Sequence, residues 1–181
     1  NLTFLVDCFG ESTELQKYAN LIIVAGKVDE SRTNDNEEKE QIRLMHELIN
    51  RHNLHGKIRW IGKLFHKDEA GEIYRLIADR KGIFVQPALF EGFGLTVLEA
   101  MISGLPVFAT KYGGPLEIIQ NNINGFHIDP VNKIDTIEKI LGFLKDININ
   151  PQMWDHISKN AIKRVNEKYN WKLYTQRLRS E

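Results

Sequence analysis

A chain of 181 residues, 42% hydrophobic and 27% charged, can build one domain with a real core and is too short for two comfortable ones. Its 24 basic and 24 acidic residues cancel, which argues against a nucleic-acid binder, whose expected footprint is a basic excess. One cysteine rules out an internal disulfide and suits a reducing cytosol; with no bilayer-length apolar run and no visible signal peptide, a cytoplasmic location is expected.

Residues 2–18 read as a helix, with Leu2, Leu5, Val6 and Phe9 on one face, followed by Leu15 and Tyr18. Cys8 lies among them and reads as a small core residue rather than a nucleophile. The run 21-LIIVAG-26 reads as a strand buried on both faces. Residues 27–40 are polar: the first part is expected to be a mobile loop. The Glu-rich part opens a helix to about Asn53, with Ile42, Met45 and Ile49 inward and acidic residues favourable near its start. His52 and His55, where that helix ends, are expected to be solvated, and the six histidines show no metal-ligand spacing.

A second strand is predicted at 57-KIRWIG-62, then a helix over 68–79 with Ile73, Leu76 and Ile77 apolar, and a third strand at 82-GIFVQP-87. A helix from about Leu95 to Ser103 leads to a fourth strand, 105-LPVFAT-110. The Gly-Gly turn of 111-KYGGPLEII-119 follows, with Pro115 where a helix's first turn tolerates it. A short strand at 125-GFHID-129 closes the sheet. From about Lys133 the tail is mostly helical, with Trp154, Ile157 and Val165, then Trp171, Tyr174 and Leu178, as apolar positions. Alternating strands and helices make an α/β fold: a Rossmann-like, doubly wound parallel sheet flanked by helices.

In such sheets ligands bind outside the carboxyl ends of the strands, and the stretch 90-FEGFGLTVLEAM-101 lies at that edge. Its glycines allow close backbone approach and positive φ. The helix start is expected to leave the N–H groups of Phe93, Gly94, Leu95 and Thr96 for an anion, with the Thr96 hydroxyl beside them. Glu91 precedes the helix and Glu99 lies one turn inside it; helical side chains lean toward the N-terminus, so both carboxylates can reach one crevice. Carboxylates beside a phosphate site accept hydrogen bonds from sugar hydroxyls. The constellation reads as a grip for a diphosphate with two sugars, a nucleotide sugar. The plainer reading is a Gly-rich turn with Glu complementing the helix dipole. No G-x-G-x-x-G follows the first strand and no P-loop is present, which argues against a nicotinamide dehydrogenase and a P-loop nucleotidase. His127 reads as a packed or hydrogen-bonded strand residue, Lys111 as a solvated surface lysine, and Trp60, Trp154 and Trp171 as core.

The Glu-x7-Glu pair, with 100-AMISGLPVFAT-110 and 113-GGPLEII-119, resembles the donor half of retaining glycosyltransferases of the GT-B fold. With 48-LINRHNLHGKIRWI-61, 72-EIYR-75, 124-NGFHIDP-130 and 171-WKLY-174, it resembles the sucrose synthase family in particular. The resemblance implies reversible glucosyl transfer between sucrose and a nucleoside diphosphate, UDP or ADP, with retention and without metal or further cofactor. It implies that Glu91 acts in catalysis by holding the glucosyl ring, with Phe93 and Gly94 packed on the same sugar. Leu95 and Thr96 would bind the diphosphate and Glu99 the ribose. The full-length protein is expected to be a homo-oligomer, without nucleic-acid or integral-membrane partners.

Two departures qualify that picture. The family's diphosphate-clamping Arg and Lys fall just before Asn1, so residues 1–181 are expected to be an excised C-terminal nucleotide-sugar-binding domain, with 133–181 its helical tail, inactive alone. The family's base-reading Gln and Asn fall at Leu64 and Ala70, which cannot read a base edge, so relaxed base choice is expected. Sucrose-phosphate synthase, another retaining GT-B enzyme, and a nucleotide-binding module without catalysis are the alternatives.

Overall fold

The computed structural model describes residues 1–63 and 65–169. The chain opens with helix α1 (Leu2–Glu11) and one turn, α2 (Leu15–Tyr18). The expected single helix over 2–18 is therefore broken. Ser12 leaves helical geometry at φ −102° and ψ 87°, and its hydroxyl accepts from the Leu15 N–H to start the next turn; serine competes with the helix in this way. Strand β1 (Leu21–Val24) follows.

Residues 27–35, expected as a loop, contain a short turn and several side-chain contacts. A 3-10 turn over Glu30–Arg32 is capped by Asp29, Arg43 pairs with Glu30 at 2.7 Å, and His46 bonds the Val28 carbonyl at 2.8 Å. Helix α3 (Asn36–Arg51) then starts on Asp35, whose carboxylate accepts from the Glu37 and Glu38 N–H groups; an Asp cap satisfies donors the helix itself cannot. His52 is not solvated: its ring lies 2.8 Å from Asp7, with the side chain only 16% exposed. His55 is exposed and bonds Asn50.

Strand β2 (Ile58–Ile61), helix α4 (Lys67–Asp79), strand β3 (Phe84–Gln86), helix α5 (Leu95–Ile102) and strand β4 (Val107–Thr110) match the expected alternation. Leu76 is the exception on α4: it is exposed. Helix α6 (Gly114–Ile118), with Pro115 in its first turn, strand β5 (Phe126–Ile128) and helices α7 (Lys133–Ile149) and α8 (Gln152–Lys168) complete the order. Trp171, Tyr174 and Leu178 lie outside the described residues.

All ladders are parallel: β1 with β2, and β3 with β4 and β4 with β5. β4, between two strands and two helix layers, is fully buried from Val107 to Thr110. β1 is not: Ile22 is 45% and Val24 39% exposed, which overturns the expectation of burial on both faces. The ladder is in two pieces, and a slot of about 480 Å³ runs between β1 and β3. One apolar cluster joins Val6, Phe9, Met45, Leu54, Phe108, Phe143 and Trp154. A second joins Val97, Ala100, Met101, Leu105 and Ala161, fixing α5 against β4 and α8. Cys8 is buried, as expected, and Trp60 and Trp154 pack with their N–H groups on the Ala25 and Gly82 carbonyls. Among the described residues no helix is long and apolar enough to cross a membrane.

Candidate donor-sugar site

The site forms where β3 hands over to α5. β3 ends on Gln86, whose side-chain oxygen accepts from the Ala88 N–H at 3.1 Å. That fixes the amide's orientation and turns its nitrogen toward Glu91, to which it donates at 2.6 Å. The other Glu91 oxygen accepts from Gly94 N–H at 3.0 Å and Phe93 N–H at 3.3 Å. The expectation that four amides stand open at the helix start is therefore corrected: Phe93 and Gly94 spend theirs on Glu91. Leu95 and Thr96 stand in the first turn, ahead of the first intrahelical bond from Leu98 to Gly94. Such N–H groups have no partner within the helix.

The Glu91 main chain is held as firmly as its side chain. Its N–H donates to Tyr112 at 3.2 Å, and its carbonyl accepts from Gly114 at 2.7 Å. This contact requires glycine twice. Gly113 adopts φ 90°, and a Cβ there would fall 2.0 Å from the Glu91 oxygen. A Cβ on Gly114 would fall 2.6 Å from Phe93. Gly94 takes φ 77° to start α5 and lies against Ile118. The Gly-Gly turn and the Glu-Gly-Phe-Gly loop are thus one interlocked unit, and its rim is apolar and exposed at Phe90, Phe93 and Leu95.

The remaining predicted residues fall around this unit. Thr96 is exposed at the top of the β1/β3 slot, which Ala70 and Tyr74 of α4 also line. Glu99 is exposed one turn further along α5. It acts on Tyr74, whose phenol is pushed up by burial first and by the Glu99 charge second. Glu91 is thus anchored toward Gln86 and the Gly-Gly turn, while Glu99 lies toward α4. Leu64 lies outside the described residues.

Two features escaped the sequence reading. Gln86 is the first; its signal was a polar residue ending an otherwise apolar strand. The second is Lys111, which is no free surface lysine but pairs with Asp129 at 2.7 Å. That hydrogen bond raises the lysine and lowers the carboxyl relative to their ordinary values. The register Thr110↔Ile128 puts the two one step past neighbouring strands. His127 bonds the Pro115 carbonyl at 3.2 Å, a structural role.

A family described as Glycosyl transferases group 1 matches residues 1–164. Over 180 residues the chain is 73% identical to a sucrose synthase of Melioribacter roseus, covering 99% of this chain and 23% of that protein. Over 178 residues it is 54% identical to a sucrose synthase of Nitrosomonas europaea, covering 98% of this chain and 22% of that protein. It therefore spans under a quarter of these relatives. The C-terminal domain of a glycosyl transferase group 1 family protein from Francisella tularensis superposes with a TM-score of 0.74 at 23% identity, covering 94% of this chain and 80% of that one. Anabaena HepE in complex with UDP-glucose superposes with a TM-score of 0.71 at 20% identity, covering 98% of this chain and 43% of that one. At such identities the superpositions speak for the GT-B fold alone.

Proposed function

This chain belongs to the glycosyl transferases group 1 family, and on that premise we propose that it is the donor-nucleotide domain of a sucrose synthase. In the longer protein it would serve the reversible, retaining transfer of glucose between sucrose and a nucleoside diphosphate. The observation that carries the reading is the Glu91 carboxylate, held by Gln86, Phe93 and Gly94 beside the open first turn of α5. A carboxylate has roughly four acceptor positions; three donors hold it in place and leave room for a sugar hydroxyl. The high identity to sucrose synthases supports the choice of substrate.

In this reading the Leu95 and Thr96 amides and the Thr96 hydroxyl take the diphosphate. As the glucosyl–oxygen bond breaks, negative charge grows on that phosphate and positive charge on the anomeric carbon. Preorganised donors aimed at the growing charge stabilise it without reorganisation. Glu91 holds the ring as it flattens, and Glu99 takes the ribose hydroxyls. The reading calls on no metal. The domain spans under a quarter of its relatives' length and on this reading does not turn over sucrose alone. Ala70, on the slot wall, offers a base no hydrogen bond from its side chain, so ADP is accepted alongside UDP.

The test is titration calorimetry of the polypeptide with UDP and with ADP, with Glu99→Ala in parallel. Binding of both nucleotides, weakened about tenfold or more in the variant, is expected. Binding indifferent to Glu99 places the nucleotide elsewhere and overturns the reading. Assay of the longer protein with fructose against fructose 6-phosphate decides the acceptor.

A further inference from the structure

Helix α6 carries the Gly-Gly turn and is too short to hold itself. Its five residues, Gly114–Ile118, make little more than one turn, and a helix of that length forms only where tertiary contacts fix it. Those contacts come from other elements. At its start the Gly114 N–H donates to the Glu91 carbonyl, and His127 bonds the Pro115 carbonyl at 3.2 Å. At its end the Glu117 and Ile118 carbonyls are among those that a helix leaves without an internal partner. Arg164 of α8 takes both: its Nε donates to Ile118 at 3.1 Å and its Nη2 to Glu117 at 2.9 Å. The Tyr169 hydroxyl adds a further donor, to Glu117 at 3.1 Å. The Arg164 Cζ lies 5.6 Å from the centre of the Tyr169 ring, within range of a cation–π attraction that keeps the two side chains together.

What Arg164 holds is joined to Glu91 by two routes. One is main chain: α6 begins in the Gly113–Gly114 turn, whose N–H grips the Glu91 carbonyl at 2.7 Å. The other is packing: Ile118 is buried, and its Cδ1 lies so close under Gly94 that a Cβ there would fall 2.7 Å from it. Gly94 starts α5 and donates to the Glu91 carboxylate at 3.0 Å. The anchor at the far end is firm. Ala161 and Val165 of α8 are buried in one apolar cluster with Val97 and Met101 of α5 and with Ile118 and Ile119. A guanidinium's donors are fixed in one plane, so two bonds from it set the direction of what it grips as well as the distance. The ends of α6 are thus tied to α8 and to the loop of Glu91, with a single turn of helix between them.

We propose that Arg164, assisted by Tyr169, is a positioning residue for the donor-sugar carboxylate: by gripping the carboxyl end of α6 it fixes the turn and the loop that aim Glu91. Its consequence for catalysis rests on the donor-site reading of Glu91. Its mechanical content, that α6 and the Glu91 loop loosen together when the grip is lost, does not.

The test is hydrogen exchange read by mass spectrometry on the longer protein, comparing the wild type with Arg164→Met, Arg164→Lys and Tyr169→Phe. Peptides covering residues 91–98 and 113–119 are expected to exchange about tenfold or more faster in Arg164→Met, with β4 unchanged. Arg164→Lys keeps the charge without the fork and should fall between. Tyr169→Phe keeps the ring and removes one neutral donor, for a rise of about threefold; it carries the test if Arg164→Met does not fold. Rates in both peptides that stay at wild-type values, or that rise only in step with β4 as a general loss of stability requires, would overturn the proposal. In sucrose cleavage with UDP, Arg164→Met should lower kcat about tenfold and leave the KM for UDP within about threefold. Its effect should shrink in a Gln86→Ala background, because both substitutions release the same carboxylate; strictly additive effects would remove Arg164 from the positioning of Glu91. A wild-type protein that does not cleave sucrose would overturn the donor-site reading instead, while joint loosening of 91–98 and 113–119 would still uphold the grip.

Discussion

The carbonyl of Glu91 and the α-carbon of Gly113 approach so closely that a Cβ built on the glycine lies 2.0 Å from the oxygen. The bond from Gly114 N–H to that carbonyl, 2.7 Å long, depends on this approach. Gly113→Ala adds both a clash with backbone and a side chain at φ 90°, each a cost of about 1–3 kcal/mol. The variant is expected to melt several degrees lower and to bind UDP about tenfold more weakly, because the loop carrying Glu91 must move. Thermal unfolding followed by calorimetric titration checks both; an unchanged Tm would show that the turn yields freely.

Gln86 donates to Glu91 at 2.6 Å, so on the proposed reading it is a positioning residue. A hydrogen bond to a charged group is worth about 1.5–3 kcal/mol. In the longer enzyme Gln86→Ala should lower kcat about 10- to 100-fold and leave nucleotide affinity within about threefold. Gln86→Glu sets a second carboxylate at hydrogen-bond distance from the first, and one of the two must then take up a proton near neutrality. Its activity should recover as pH falls, a rise the wild type lacks. The pH–rate profile reads this directly, and parallel profiles would remove Gln86 from the mechanism.

Much of this was legible in the sequence, for particular reasons. Short apolar runs bounded by Gly and Pro, such as 105-LPVFAT-110, read as buried strands rather than helices, and alternation with helices points to parallel pairing. The glycines at 92, 94, 113 and 114 marked a loop whose backbone comes close to something. Gly113 and Gly114 approach the backbone of Glu91 and Phe93, and Gly94 lies against Ile118; a single sequence does not show such pairings. His52 was misread because its partner Asp7 is distant in sequence, though 2.8 Å away in space. β1 was misread because an apolar run states that burial is wanted and not which neighbour supplies it. The opening amides were misjudged because Glu91 sits at a position from which it can cap its own helix, and the same carboxylate can serve sugar or backbone.

The Asp7 cluster makes acid stability testable. Burial works to raise the Asp7 carboxyl, but hydrogen bonds from Lys133 and His52 outweigh it and hold the group below its ordinary 3.8. The folded chain therefore binds fewer protons here than the unfolded chain. The contribution is full above the ordinary value and is lost as pH falls through the folded one. Urea unfolding between pH 7 and pH 2 should lose stability below about pH 4, and Asp7→Asn should flatten that limb. Lys133, which also bonds Glu11, is raised by the same contacts; Lys133→Met should destabilise more at pH 7 than at pH 3.

Cys8 gives the opposite sign. Burial pushes its thiol up to about 12 from 9.0, with Lys133 pulling down and the Asp7 and Glu11 charges adding to the rise. The reactive species is the thiolate, so the folded chain holds Cys8 inert at pH 8, both by access and by protonation. The raised value means that the folded state keeps a proton the unfolded state has released. Its stabilising contribution is complete below pH 9, the unfolded value, and disappears as pH climbs toward 12. Iodoacetamide at pH 8 should therefore label Cys8 at least about 100-fold faster in unfolding concentrations of urea than in buffer, since native labelling must wait for opening. Labelling in buffer as fast as in urea would mean that α1 opens away from α3 and α7 in the native state. In that case the acid limb assigned to Asp7, on the same helix, should vanish with it.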